Sequence, residues 1–423
     1  VIMEKCNELG MGVSFTSGTH WATANLFTIT PDDDAASKEL GYRTIELKGG
    51  EKFEGNLPIP QLPDGVKKAK FVKLVKAEVT GAGSMTIKKD SLEDLSGQVT
   101  GIADNKATVS YTAPAGDGHY VLFAFWMYGT GESYQPAKSD SYTINYFDKI
   151  GVETLIDYWD NHVLTADVKK LIAENNEITG SDRVQMYMDS LELNTRGKET
   201  TGLLWSNKML ATFQTSRGYD MAKYLPILIY KSGGSGMGPY LTYKYTIEGE
   251  DGATLSKKIR RDLLQVNTEL YQKECLAPFR AWLNDNGIAL RAEPSYGREL
   301  ELSQPIKDLD YVEAESLEFA GNIESYRGLA GGAHLFDKVY SSETGAMISA
   351  NFVRTSDYKN NLFYTQFASG IQRTVIHVYT SAYGPEESTD WPGFVSTQIW
   401  SDRFNNSQVN ALDYPTLMGE HFT

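Results

Sequence analysis

Cysteine is almost missing from this chain. Of 423 residues only Cys6 and Cys275 are cysteines. Each lies in a stretch of helical spacing with no CxxC pair or Cys/His cluster nearby, so a structural zinc site and a disulfide-stapled scaffold are both excluded. A single Cys6–Cys275 bridge stays open. Long apolar runs are lacking too: none approaches the roughly 20 residues that cross a bilayer, which leaves no candidate membrane span. Cations are outnumbered, with 40 Lys and Arg against 55 Asp and Glu and a net charge of −15. Affinity for nucleic acid rests mostly on Lys and Arg neutralising phosphates, so this balance argues against nucleic acid as a partner. No GxGxxG follows a strand, and the Gly-rich stretch Ser232–Gly238 has no following Lys-Ser/Thr and reads as a surface loop. Dinucleotide and P-loop binding therefore lose their signatures. No Gly-x-Ser-x-Gly nucleophile elbow occurs: the nearest run, Gly234-Ser235-Gly236-Met237-Gly238, is out of pattern.

What is present is apolar and aromatic. Apolar residues make up 41% and aromatics 12% of the chain, with 25 Tyr and 7 Trp, enough to fill large cores. The same side chains suit sugar binding, where ring faces stack on aromatics and hydroxyls find polar rims. The length predicts two domains, or one (β/α)8 barrel with an inserted module. The opening residues Val1–Gly10 read as the last turns of an amphipathic helix closed by a glycine, so the chain reads as a fragment starting in mid-fold.

Met11–Ser17 reads as a short apolar strand that runs into the polar and aromatic loop Gly18-Thr19-His20-Trp21. From Tyr42 to Tyr142 the texture changes to short alternating strands between turns, such as Phe71–Val75 and Tyr120–Phe125. That texture predicts an antiparallel β-sandwich. Helical period returns where Val152, Leu155, Ile156 and Trp159 fall on one stripe. Strands are then expected at Val184–Leu193, Ile288–Tyr296, Val339–Met347 and Gln372–Tyr383, with helices at Leu203–Ser216, Lys257–Asn286 and Asn322–Asp337. Alternation at this spacing implies parallel strands with helical crossovers. The expected architecture is α/β: a (β/α)8 TIM-type barrel, in two parts at 1–41 and 144–423, with an antiparallel β-sandwich inserted at 42–143.

Barrel chemistry sits where strands end, so acids at strand ends carry the most weight. Val184–Met188 delivers Asp189 and Glu192, Ile288–Ala292 delivers Glu293, and Val339–Ser342 delivers Glu343. Between the last two lie Glu313 and Glu315, and Val375–Tyr379 carries His377. Taken singly, each acid is more often a solvated loop residue or a helix cap than a catalytic group. Three strands with the same habit, and a fourth carrying His377, point instead to one mouth. Glycoside hydrolysis needs such a set, with one protonated acid for the leaving oxygen and one carboxylate as base or nucleophile. Oxygen-rich clusters also suit a hard cation such as calcium. A lone histidine such as His377 is more often a core residue, and His162 and His334 read as structural.

The ordered set Leu9–Trp21, Asn145-Tyr146-Phe147, Met188–Glu192, Arg217–Asp220 with Tyr224-Leu225-Pro226, Ser295-Tyr296-Gly297, Glu313–Glu315, Ser342-Glu343 and Trp391-Pro392-Gly393 resembles the α-L-rhamnosidases of glycoside hydrolase family 106. The resemblance covers nearly the whole chain. It implies a barrel with β-sandwich elaborations that cleaves terminal α-L-rhamnose from glycosides or polysaccharides with inversion, assisted by calcium. Carried onto this sequence, Glu192 becomes the general acid and Glu343 the general base, with Glu293 and Glu315 as calcium or hydroxyl contacts. His20, Trp21, Asp189, Tyr296, His377 and Trp391 are the candidate sugar contacts. The resemblance also implies secretion, with which the sequon Asn405-Asn406-Ser407 is compatible. Members of the family are about twice as long. Two other readings stay open: a carbohydrate-binding barrel without turnover, and, ranked last, a uronate-processing lyase, which would need cations where these strand ends carry acids.

Overall fold

The computed structural model describes residues 1–18, 24–134, 140–180, 183–233, 240–294, 300–319, 321–346 and 356–377. The chain divides into two compact units, Val1–Ile288 with Gly297–Glu301, and Ala289–Tyr296 with Leu302–Thr423. The fold is mixed α/β. Cys6 and Cys275 are both free thiols. Among the described residues no helix is long and apolar enough to cross a membrane.

In the first unit, the helix Ile2–Leu9 ends on Gly10 in the left-handed conformation, φ 69°. A side chain there would cost energy, and the turn lets Met11 N–H donate to Cys6 O at 2.8 Å. The strand Ser14–Thr16 follows and pairs in parallel with Gln185–Met188. The helix Ala166–Thr179 leads into that second strand and is tied to the first helix, since Asn175 Nδ2 donates to Asn7 Oδ1 and Met11 O.

Between these strands lie two antiparallel sheets around a common core. The strand His119–Gly129 pairs with both Lys38–Lys48 and Ala69–Val79, each strand 11 residues long. A smaller sheet joins Lys52–Asn56, Lys106–Thr112 and Thr100–Ala103. Leu122, Ala124, Trp126 and Tyr128 pack with Leu74, Ala107 and Val109. The alternate residues are buried as well: Phe123 meets Tyr245 edge-on at 4.9 Å, and Phe125 lies against Tyr42. A strand covered on both faces reads as a continuous apolar run, which is the pattern of His119–Gly129.

The same sheet takes in Thr200–Trp205 at the edge of Lys38–Lys48. A helix was expected from Leu203, but the helix starts at Met209. Leu203, Leu204 and Trp205 are buried by sheet packing rather than by a helical stripe, and Ser206 Oγ accepts from Lys208 N at 3.1 Å in the turn between. The long helical segment runs as Gly249–Leu270, a wider π turn at Tyr271–Leu276, and Ala277–Asp285. Pro278 has no N–H to return to Glu274, and this break in the hydrogen-bond ladder falls where the turn widens.

The second unit contains four parallel strands in chain order: Ala289–Ala292, Tyr311–Glu315, Val339–Thr344 and Arg373–Ile376. The helices Ile323–Leu335 and Ser356–Ala368 form the last two crossovers. Tyr311–Glu315, for which no strand was expected, is a strand. With Ser14–Thr16 and Gln185–Met188 in the first unit and four parallel strands in the second, the described residues show strand–helix repeats but not a closed ring of eight. The Gly-rich run from Gly234, the Tyr296 segment and the stretch from residue 378 onward lie outside the described residues.

Candidate active site

Parallel neighbours point their side chains to the same side of a sheet, and along each strand the sides alternate. In the second unit Arg291 pairs with Tyr311, Glu313 with Ser341, Ser341 with Arg373, and Glu315 with Glu343. One face therefore carries Arg291, Tyr311, Glu313, Glu315, Ser341, Glu343, Arg373 and Val375. Glu293 and His377, two residues beyond Arg291 and Val375, continue it.

The opposite face packs on helices. Tyr340 OH donates to Tyr326 O at 2.9 Å, Gln366 Nε2 donates to Ser342 Oγ at 2.9 Å, and Thr344 Oγ1 donates to Gln366 Oε1 at 2.9 Å. The unit thus places its apolar and hydrogen-bonded side against helices and its ionic side away from them.

The ionic face is layered. Glu313 is fully buried, with Oε2 3.2 Å from Arg291 Nε and accepting from Ser341 Oγ at 2.6 Å. Burial pushes its carboxyl above the usual range, against the pull of Arg291, the Ser341 hydroxyl and Arg373. The Arg373 guanidinium also lies 5.4 Å from the Tyr311 ring centroid. Toward the C-terminal ends come Glu293, 3% exposed, Glu315, 5% exposed, and the more accessible Glu343. His377 Nε2 stands 3.9 Å from Glu343 Oε1, and the His377 N–H donates to Thr344 O at 2.8 Å. One oxygen each of Glu293 and Glu343 lie within 4.8 Å of one another. Two carboxylates at that separation repel when both are charged, so a shared proton or a bound cation relieves the pair.

The structure thus brings together Glu293, Glu315, Glu343 and His377. Asp189 and Glu192 belong to the first unit, in the segment after Gln185–Met188. Asp189 Oδ1 accepts from Ser190 N at 2.8 Å, and Glu192 O accepts from Asn194 Nδ2 at 2.9 Å. His20, Trp21, Tyr296 and Trp391 lie outside the described residues. Sequence reasoning missed Arg291 and Arg373. Their signal was available in the period of two, since Arg291 stands two residues before Glu293 and Arg373 four before His377.

No family model matches the chain. A Formosa agariphila protein named "Putative beta-glucuronidase" is 22% identical over 318 residues, spanning 69% of this chain and 24% of that protein. The structure of a rhamnosidase from Novosphingobium sp. PP1Y superposes with a TM-score of 0.54 at 13% identity, covering 89% of this chain and 49% of the other. The chain is therefore similar in fold to that rhamnosidase. It spans about half of that protein's length and about a quarter of the Formosa protein's.

Proposed function

We propose that this chain carries reaction-centre residues of a glycoside hydrolase. The observation that carries this reading is the gathering of Glu293, Glu315, Glu343 and His377 on one face at the C-terminal ends of consecutive parallel strands, where strand–helix enzymes hold their chemistry. The fold likeness to a rhamnosidase and the Formosa relative support it.

In the finer reading, the parallel strands belong to a (β/α)8 barrel and the substrate is a terminal α-L-rhamnoside, cleaved with inversion. Glu343 is the general base that activates water, and Glu192 is the general acid that protonates the leaving oxygen. An inverting pair stands roughly 6.5–9.5 Å apart to admit water. Glu293, one of whose oxygens lies within 4.8 Å of an oxygen of Glu343, is given a different task. A buried carboxylate such as Glu293 suits a hard cation bound through oxygen at about 2.3–2.6 Å. Glu293 and Glu315 are the residues that would hold calcium, which when bound supplies positive charge for sugar hydroxyls. Asp189 and His377 are the described candidates for sugar contact.

A second reading is a uronoside substrate. It is favoured by the name of the Formosa relative and by Arg373 on the same face as the acids, since a guanidinium suits a sugar carboxylate.

The test is a screen of 4-nitrophenyl glycosides with and without EGTA. Release from the α-L-rhamnoside, lowered by EGTA and restored by calcium, is the expected result. Release from the β-D-glucuronide instead moves the substrate to the second reading. Saturable sugar binding with no glycoside cleaved would refute the hydrolase reading and leave a binding protein.

A further inference from the structure

The segment that follows Gln185–Met188 bears Asp189 and Glu192, has little regular structure of its own, and is gripped by two buried carboxylates of the antiparallel sheets. Glu39, 0% exposed, lies on the strand Lys38–Lys48. It accepts two successive backbone N–H groups, Arg196 N on Oε2 at 2.5 Å and Gly197 N on Oε1 at 2.8 Å. Glu132, 1% exposed, follows the strand His119–Gly129 and takes Arg196 Nη2 at 3.2 Å and Asn194 Nδ2 at 3.3 Å. The same Asn194 Nδ2 donates to Glu192 O at 2.9 Å. One amide thus joins a buried carboxylate to the backbone of the residue read as the acid.

The approach needs glycine at 197. A Cβ there would overlap Glu39 Oε1 and the Tyr128 hydroxyl. Burying a carboxylate is costly unless its oxygens are hydrogen-bonded, and here the partners are backbone N–H groups that no rotamer change can withdraw. Beyond the clamp the segment stays stitched down: Tyr42 N–H donates to Glu199 O at 2.9 Å, and Thr201 Oγ1 donates to Leu40 O at 2.6 Å.

We propose that Glu39 and Glu132 are positioning residues: they fix the Asn194–Gly197 turn, and through Asn194 the backbone of Glu192, so that the antiparallel sheets set where the candidate acid stands. The consequence for turnover rests on the hydrolase reading above, whereas the clamp itself does not. A clamp of this kind acts on kcat, because a misplaced acid loses transition-state contact while ground-state binding is kept.

The test combines hydrogen exchange by mass spectrometry over residues 189–199 with steady-state kinetics on the glycoside that the screen identifies. Glu39→Gln keeps an acceptor for only one of the two N–H groups. It is expected to speed exchange at 194–197 tenfold or more and to lower kcat at least tenfold with KM within about twofold. Arg196→Gln alters only the partly exposed arm of the clamp, so it keeps the test decisive if Glu39→Gln fails to fold. Its expected effects are the same in kind and about threefold in size. Unchanged exchange in a folded variant would overturn the clamp. Faster exchange with wild-type kcat would overturn the positioning role. If the wild-type chain cleaves no glycoside, the hydrolase reading falls and the exchange data alone still decide the clamp.

Discussion

Arg291 and Glu313 meet on neighbouring parallel strands with Nε 3.2 Å from Oε2, their side chains 9% and 0% exposed. They form the floor beneath Glu343 and Glu315. Removing one member of a buried pair leaves the other without compensation and costs about 3–5 kcal/mol. Arg291→Met should therefore destabilise the chain by that order. The loss should also depend on pH in a definite sense. Burial already raises the Glu313 carboxyl and Arg291 is the chief opposing charge, so in the variant the folded chain holds its proton to higher pH than the unfolded chain does. Folding then takes up a proton, and stability falls as pH rises above the ordinary value of 4.5. Urea denaturation at pH 5 and pH 8 should show the larger loss at pH 8, and equal losses would count against the pairing.

Glu343 and Glu293 are separable by kinetics because the proposed roles differ. A general base acts on the proton in flight and is worth about 10²–10⁴-fold in rate. Glu343→Gln should lower kcat by at least a hundredfold with little change in KM. Glu293→Gln should instead raise the calcium concentration needed for half-maximal activity by about tenfold, since an amide oxygen is a weaker ligand than a carboxylate for a hard cation. A Glu343→Gln variant that keeps a tenth of the wild-type kcat would remove it as the base.

The acids of the second unit were legible because a parallel strand buried on both faces reads as an apolar run that stops where the chemistry starts. Ile288-Ala289-Leu290, ahead of Arg291, Ala292 and Glu293, is the clearest case, whereas Val339-Tyr340-Ser341-Ser342 before Glu343 is only half apolar. Tyr311–Glu315 was not recognised as a strand, because its alternation of aromatic, aliphatic and acidic residues breaks the run, and only the pairing of Glu315 with Glu343 shows its place. Arg291 and Arg373 escaped notice for the same reason: a cation in the middle of a strand has no meaning until the register assigns it a face. Leu203–Trp205, the end of the strand Thr200–Trp205, was taken for helix because its burial comes from a sheet formed some 160 residues earlier in the chain. The Glu39 clamp could not be read at all. Glu39 and Glu132 each look like an ordinary charge near a strand end, and what buries them is a turn around Gly197, distant in sequence from both.

The Glu39 clamp makes a prediction about stability that is independent of any activity. Burial pushes the Glu39 carboxyl up to about 7 from an ordinary 4.5, with the Arg196 and Gly197 N–H groups and Tyr128 pulling it back and the charge of Glu132 pushing it further. Between those two values the folded chain keeps a proton that the unfolded chain releases. Stability contributed at this site is thus fully present below pH 4.5 and is lost as pH rises through 7, by roughly 3 kcal/mol. Glu39→Gln cannot titrate, so it escapes that loss, but it leaves one buried N–H without its acceptor at a cost of about 1–3 kcal/mol at every pH. The two effects oppose each other only at high pH. The variant should therefore be clearly less stable than the wild type at pH 5, and the gap should close or reverse by pH 8. Urea titrations of both proteins across that range would check this, and a gap that stays constant from pH 5 to pH 8 would show that the Glu39 carboxyl does not hold its proton in the fold.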